Sequence, residues 1–363
     1  MKQYNTITTF SMSFIAFGFF MYVLYIGSSI IIPFVVAMLL SFIIISLASF
    51  IRKYGIQRHI AFLWALFILG LFIYLTGKII DSNIQQLIIE APWYQQKLIT
   101  IFEIYSQKYN IDSDIISQSV LESFSITSIF TSLAALITAI VKNAGMIIFF
   151  TLFILLESKS FKAKLSLIAW WEKTPMFWAI EQIQSDMKSY FKIKTLTSLS
   201  VALISLVIMY FFGLDFLVFW AFIIFVLNYI PSIGSIIAVA FPVLFSLVQF
   251  GSLTLTLVFL ILMAAAQMLL WNFIEPRLMG NKLNLSPLVI LISLIFWGTI
   301  WWPVGMLLAV PLMVMMNIVF AHNEHTRPIA VLLSEKWIVK FTEINKKWKW
   351  KLTLSKMKKM LNK

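Results

Sequence analysis

The chain has 363 residues, 61% of them hydrophobic and 12% charged, with a net charge of +13 and a mean hydropathy of +0.93. Soluble domains carry about 25% charged residues, and the apolar stretches here recur at about 20 residues, the length of a bilayer crossing. Together these values exclude a soluble globular domain, and the lack of cysteine excludes disulfides, thiolate metal sites and cysteine nucleophiles.

The first apolar run, Thr8 to Ile32, is too long for the core of a signal peptide and reads as a span. Pro33 interrupts it, and a second span continues from Phe34 to Phe50. A basic turn with Arg52, Lys53 and Arg58 leads to a third span, Ile60 to Ile80, closing a first membrane region over residues 1–80. Residues 81–132 change character, with six acids and two lysines. There Leu87, Ala91, Tyr94, Leu98, Ile101 and Tyr105 recur at steps of four and three. Such a stripe predicts an amphipathic helical insert packed on another helix or on the membrane surface. A fourth span covers 133–156.

Residues 157–194 reverse the sign, with seven lysines against four acids and tryptophans beside charges. That suits an amphipathic segment at the headgroup level. Residues 195–320 read as an apolar membrane core, and from Leu196 to Ile274 the single formal charge is Asp215. The core is punctuated at Gly213-Leu214-Asp215, Pro231-Ser232-Ile233-Gly234, Gln249-Phe250-Gly251-Ser252, Glu275-Pro276-Arg277 with Gly280, and Trp302-Pro303-Val304-Gly305. Phe216 to Ile230 and Pro287 to Trp301 hold roughly 15 residues each, short for a hydrocarbon core of about 30 Å, and predict half or re-entrant helices. The tail, 321–363, has ten lysines after Glu335. Its Trp337, Phe341, Ile344, Trp348 and Leu352 space a basic amphipathic helix on anionic lipid.

The whole is an all-α polytopic membrane protein of about eight transmembrane helices, seven to ten depending on the broken ones, with a helical extracytoplasmic insert. Basic segments at 52–58, 157–194 and the tail, with acidic 81–132, fit cytoplasmic N- and C-termini and an insert outside. The positive charge therefore implies a lipid partner and not nucleic acid.

An offset of 71 residues places Leu217-Val218 on Leu288-Val289, Phe225 on Phe296, Gly234 on Gly305 and Ala238-Val239 on Ala309-Val310. Each copy reads as a short apolar helix, a Pro-Gly turn and an apolar helix containing a proline, Pro242 or Pro311. The pattern predicts two hairpins of inverted topology meeting at mid-membrane.

No catalytic constellation is present: there is no Gly-rich phosphate loop, no paired-histidine helix and no nucleophile elbow. The chain reads as non-enzymatic, with no cofactor and no metal, and ATP drive would require another chain. His59, His322 and His325 sit at span edges without clustered acids and read as interfacial residues. Asn228, Ser232, Ser235, Gln249, Gln267, Asn272 and Asn317 are polar groups inside apolar segments, whose ordinary role is bonding between helices. Broken helices free backbone groups that membrane depth tolerates only beside protein or water, which points to Pro231, Gly234, Pro303 and Gly305. Pro276 biases Glu275 away from helical geometry, and Gly280 permits a turn. Two readings of Glu275 and Arg277 stay open: an ordinary cytoplasmic loop, or a gating or coupling carboxylate at a helix end.

Three stretches carry a family resemblance: Pro33 to Leu63, "LNYIPSIGSIIA" at 227–238, and "EPRLMGNKLNLSPLVILISLIFWGTIWWPVGMLLAVPLMV" at 275–314. In this order the chain resembles the autoinducer-2 exporter family, the PerM-like permeases, over nearly its whole length. The resemblance implies an inner-membrane, homo-oligomeric transporter of small solutes that does not use ATP. Some members are linked to export of autoinducer-2 and some to sodium/proton antiport. The family motif maps onto Asn228, Pro231, Gly234, Glu275, Pro276, Gly280, Pro287, Gly305 and Pro311. The bulk of Trp301-Trp302-Pro303 departs from a turn that is small and Gly-rich in the family.

The expectation is a secondary permease or exporter of a small solute. A sodium/proton-type antiporter using Glu275 or Asp215 is the first alternative, and a non-transporting scaffold is the second. Candidates for the solute path are Asn228, Pro231, Ser232, Gly234, Asn272, Glu275, Pro276, Arg277, Gly280, Pro287, Pro303, Gly305 and Pro311.

Overall fold

The computed structural model describes residues 2–109, 143–158, 160, 164, 175–279 and 284–335. All regular structure among them is helical. The basic tail beyond 335, residues 110–142 of the insert and fourth span, and Gly280 lie outside the described residues.

The N-terminal helices are α1 (Lys2–Ile26), α2 (Ser28–Ile51) and α3 (Arg58–Tyr109), with a 3₁₀ turn at Arg52–Tyr54. The break between α1 and α2 falls at Gly27, not at Pro33 as the sequence suggests. Pro33 lies inside α2, whereas Gly27 leaves the helical well only in ψ. The Gly27 amide bonds to the Val23 carbonyl at 2.8 Å and its own carbonyl accepts from Ile31 at 2.9 Å, so the chain bends without opening a loop. The turn into α3 uses Gly55 at φ +82°, a conformation that costs other residues a Cβ clash. Beyond it Ala48 of α2 faces Ala61 and Ala65 of α3, small residues that let two helices approach closely.

Helix α3 runs 52 residues, about 78 Å at 1.5 Å per residue, more than twice the hydrocarbon core. The expected boundary at residues 80 and 81 therefore lies inside one helix. Asp81 ends the apolar stretch but not the helix, because polar residues outside lipid are compatible with helical backbone, and Pro92 is tolerated within it. Five residues of the predicted stripe, Leu87, Ala91, Tyr94, Leu98 and Ile101, are buried, and the side chain of the sixth, Tyr105, lies outside the described residues.

After the apolar helix α4 (Asn143–Ser158) comes α5 (Pro175–Phe211), 37 residues long. The remaining elements are α6 (Leu217–Leu227), α7 (Ile233–Phe250), α8 (Leu253–Leu269), a π-helical turn (Leu270–Ile274), α9 (Glu275–Met279), α10 (Pro287–His322) and α11 (Arg327–Leu333). Among the described residues five helical stretches are long and apolar enough to cross a bilayer, and at most 44% of an 18-residue apolar window in any of them is buried within the protein. Large apolar side chains on them turn outward, such as Phe34, Leu203, Ile236 and Ile295. Such surface requires lipid around it.

Both expected hairpins are present. Helix α6 spans about 17 Å and is a half helix. Its turn closes through Tyr229 and Ile230 amides onto the Val226 and Leu227 carbonyls at 3.1 and 2.9 Å, and α7 returns. Helix α10 is broken at Trp301 and Trp302, whose backbone is non-helical. A β-carbon at Gly234 would collide with the Leu227 carbonyl, and one at Gly305 with the Trp297 carbonyl. Ile230 and Trp301, again 71 apart, are the next contacts of these two glycines. The internal repeat thus has a common physical basis: in each turn the returning helix presses a glycine onto the carbonyl end of the arm before it. The bulk at Trp302 is accommodated by pointing outward at 68% exposure, with φ at +55°.

The core divides in two. One apolar cluster joins α3, the C-terminal half of α5 from Val201 to Met209, α6, α7 and α8. The other joins α1, α2, the N-terminal half of α5 from Ala179 to Phe191, Met279 and α10, with Ile230 of the first turn. Helix α5 carries both.

Candidate functional site

Between its two apolar halves α5 presents Lys194, Thr197 and Ser198, all at most 3% exposed. Tyr190, Lys194 and Ser198 are spaced by four and share one face. Lys188 and Lys192 point outward. The Lys194 ammonium donates to Glu275 Oε1 at 2.6 Å, and the two side chains are 4% and 17% exposed.

The backbone before Glu275 explains how this acid is aimed. A proline in an α-helix clashes with the carbonyl four residues back, here that of Asn272. Residues 270–274 widen into a π turn, and the Glu275 amide bonds to the Leu270 carbonyl five residues earlier. The inserted residue rotates the next turn of helix by about 100°, so Asn272 and Phe273 face outward while Glu275 turns toward α5. Pi turns of this kind are frequent at functional sites.

The tip of the first hairpin meets the neighbouring face of α5, one residue round the helix. Tyr229 Oη and Thr195 Oγ1 share a hydrogen bond of 2.7 Å. Next to it, Gln267 Nε2 of α8 donates to Asn228 Oδ1 at 2.6 Å. Three polar contacts, Gln267–Asn228, Tyr229–Thr195 and Lys194–Glu275, thus follow one another through neighbouring residues of the hairpin tip and of α5 and form a polar seam. It lies where the two apolar clusters meet.

The other sequence candidates are more widely spread. Pro231, Ser232 and Gly234 form the turn beside Asn228, with Ser232 at φ +60°. Asn272, Pro276 and Arg277 are exposed, Pro287 is exposed at the start of α10, and Pro303, Gly305 and Pro311 belong to the second hairpin. Asp215 is not at the seam. It is exposed, borders an open cleft of about 410 Å3 with Asn83 and Leu217, and accepts from Tyr94 Oη at 2.9 Å. Gln249 ties the same turn, accepting from the Asp215 amide and donating to the Gly213 carbonyl, both at 2.9 Å. Lys97 caps the end of α7 by donating to the Gln249 carbonyl at 2.6 Å. Asp215 thus serves to dock α3. Burial, and then the neighbouring Asp215 carboxylate, hold the Tyr94 phenol above its ordinary titration range.

Lys194 escapes the sequence reading because it ends a lysine-rich run that resembles a headgroup segment. The available signal is helical phase: Lys192 and Lys194 fall on different faces, and Lys194 shares the phase of Met187, Tyr190 and Val201. Among the described residues no cluster of acids, histidines or cysteines could hold a metal.

A broken-helix bundle with an ion pair at depth and an apolar exterior defines a polytopic membrane protein built on the plan of transport proteins. The family described as AI-2E family transporter matches residues 14–324, and the chain belongs to it. It is 27% identical over 313 residues to a putative transport protein of Borreliella burgdorferi, covering 83% of each chain. It is 27% identical over 320 residues to a putative transport protein of Haemophilus influenzae, covering 85% of this chain and 91% of the relative. Against the AI-2 transport protein TqsA of Escherichia coli K12 the identity is 28% over 313 residues, covering 85% and 90%.

Proposed function

We propose that this chain is a secondary permease or exporter of a small solute in which the Lys194–Glu275 pair is the group that changes state during transport. The observation that carries this reading is the pair itself, 2.6 Å apart just after a π-helical turn and between two separate apolar clusters. A buried pair is weak support for stability, since apolar residues of the same volume do as well or better, so its retention between two apolar clusters favours a functional role. The solute we favour is a small signal of the autoinducer-2 kind, by likeness to the relative that bears that name. The cation/proton antiporter is the second reading, for which the partly buried Glu275 carboxylate, paired with the buried Lys194, is a better candidate than the exposed Asp215. The protein then sits in a bacterial inner membrane as a homo-oligomer, with both termini cytoplasmic and the lysine-rich tail on anionic lipid.

Flux in purified proteoliposomes tests the assignment. Glu275→Gln is expected to abolish solute flux and any sodium- or pH-dependence with it. Flux unchanged in Glu275→Gln sinks both transport readings at this residue. Loss of the sodium- or pH-dependence alone, with solute flux retained, selects the antiporter.

A further inference from the structure

Two bonds of different kinds leave α5 from consecutive residues. Lys194 donates to Glu275 of α9 at 2.6 Å, and Thr195 Oγ1 shares its 2.7 Å bond with Tyr229 Oη of the first hairpin. The arms of that hairpin belong to the first apolar cluster, through Phe219 and Ile224 of α6 and Ala238 and Phe245 of α7. Its tip does not. Ile230 is part of the second cluster, together with Tyr190 and Phe191 of α5, and Tyr229 and Ile233 pack against that cluster. The tip is therefore where the hairpin crosses from one cluster to the other, and Tyr229 supplies a hydrogen bond for the crossing. Thr195 is free to take it because its hydroxyl is not spent on its own helix. A helical serine or threonine commonly returns its hydroxyl to a carbonyl three or four residues back. Thr197 does so to Lys194 and Ser200 to Leu196, whereas Thr195 turns to the hairpin.

We infer that Tyr229 and Thr195 form a latch on the first hairpin, coupled through α5 to the Lys194–Glu275 pair. The movement of α5 that parts the ion pair also withdraws Thr195 from Tyr229 and frees the tip. The physical link is the stiffness of the helix. Residues 194 and 195 are about 1.5 Å and about 100° apart on one rigid rod, so neither moves without the other. A displacement of about 1 Å along either bond takes it out of hydrogen-bond range. This rests on the reading of the pair as the group that changes state, and adds the residues that pass the change to the hairpin. Tyr229 and Thr195 are positioning residues, acting through the backbone they hold.

The chain has no cysteine, so a single thiol can report on the tip. Ile230→Cys, at a position 7% exposed, is the reporter, and Ser246→Cys, at a position of α7 that is 0% exposed, is the control. Alkylation by N-ethylmaleimide in native membranes requires thiolate, so it is slow while the thiol is buried in apolar packing. In the Ile230→Cys protein, Tyr229→Phe and Thr195→Val are each expected to speed alkylation by about two- to tenfold, the range of one net hydrogen bond. Together they should do no more than either alone, because both remove the same bond. Thr195→Ser keeps the hydroxyl and should label at the original rate. Lys194→Met combined with Glu275→Leu should also speed the reporter, and Ser246→Cys should stay slow in every variant. Unchanged labelling in Tyr229→Phe and Thr195→Val, additive effects of the two, or equal acceleration at Ser246→Cys each overturns the latch. Acceleration in those two variants but not in Lys194→Met with Glu275→Leu overturns its coupling to the pair. Labelling does not depend on flux, so acceleration in all of them together with unchanged flux in Glu275→Gln keeps the coupled latch and discards the pair's role in transport.

Discussion

Lys194 and Glu275 pair at 2.6 Å where the two apolar clusters meet. Removing one partner of a buried pair leaves an uncompensated charge, at about 3–5 kcal/mol, whereas replacing both with apolar residues is often neutral. Lys194→Met is accordingly expected to lower thermal stability in detergent by that amount. Lys194→Met combined with Glu275→Leu should recover most of it while flux stays lost. A double variant no more stable than Lys194→Met would show that the pair does not interact as the geometry requires. Glu275 was legible in the sequence because it stands beside a proline in an apolar region. Lys194 was not, because a lysine's burial is decided by helical phase and by what packs over it, and neither is visible in a run of lysines.

The elements are set by local chemistry, with exceptions that have identifiable causes. Helix α3 passes through Asp81 because nothing in its backbone stops it. The hairpin turns, in contrast, depend on single glycines. At Gly234 and Gly305 a methyl group meets backbone carbonyl, which cannot rotate away as a side chain would. Gly305→Ala should therefore destabilise by about 1–3 kcal/mol or more, read as a fall in melting temperature, and Gly234→Ala likewise. An unaffected melting temperature would mean that the turns are looser than their contacts indicate. The far half of α3 docks through Tyr94, which bonds to Asp215, and through Lys97. Losing the Tyr94 bond should cost about 1–2 kcal/mol, so Tyr94→Phe should speed amide exchange in residues 84–101 by roughly tenfold. The same contact has a pH sign. The folded-state phenol titrates above its ordinary value of about 10, so its contribution is complete below that pH and is lost as pH rises beyond it. Wild-type α3 should therefore undock at strongly alkaline pH, and Tyr94→Phe should lack that step.

At the scale of the molecule the two apolar clusters share α5 and meet at a polar seam. Lipid offers apolar side chains no less than a protein core does, so the clusters are held by close packing and by hydrogen bonds across the seam. Such a joint is where one bundle can rock on another about a fixed site. The composition and the lengths of the apolar runs by themselves determined that the chain is helical, crosses a membrane several times and breaks its C-terminal helices at Pro231 and Trp302, because lipid leaves backbone groups no other way to be satisfied. At Glu275 the expected departure from helical geometry does not occur, since a π turn absorbs Pro276 and the helix runs on to Met279 with Glu275 helical at φ −59°, ψ −48°. The 71-residue repeat likewise came from the identities alone. Only the tertiary structure decided which charges pair, that Asp215 is a docking residue at the surface, and that Gln267 pairs with Asn228. Those outcomes depend on which face of each helix turns toward which neighbour, and a single π-helical residue before Glu275 is enough to rotate that face by a quarter turn or more.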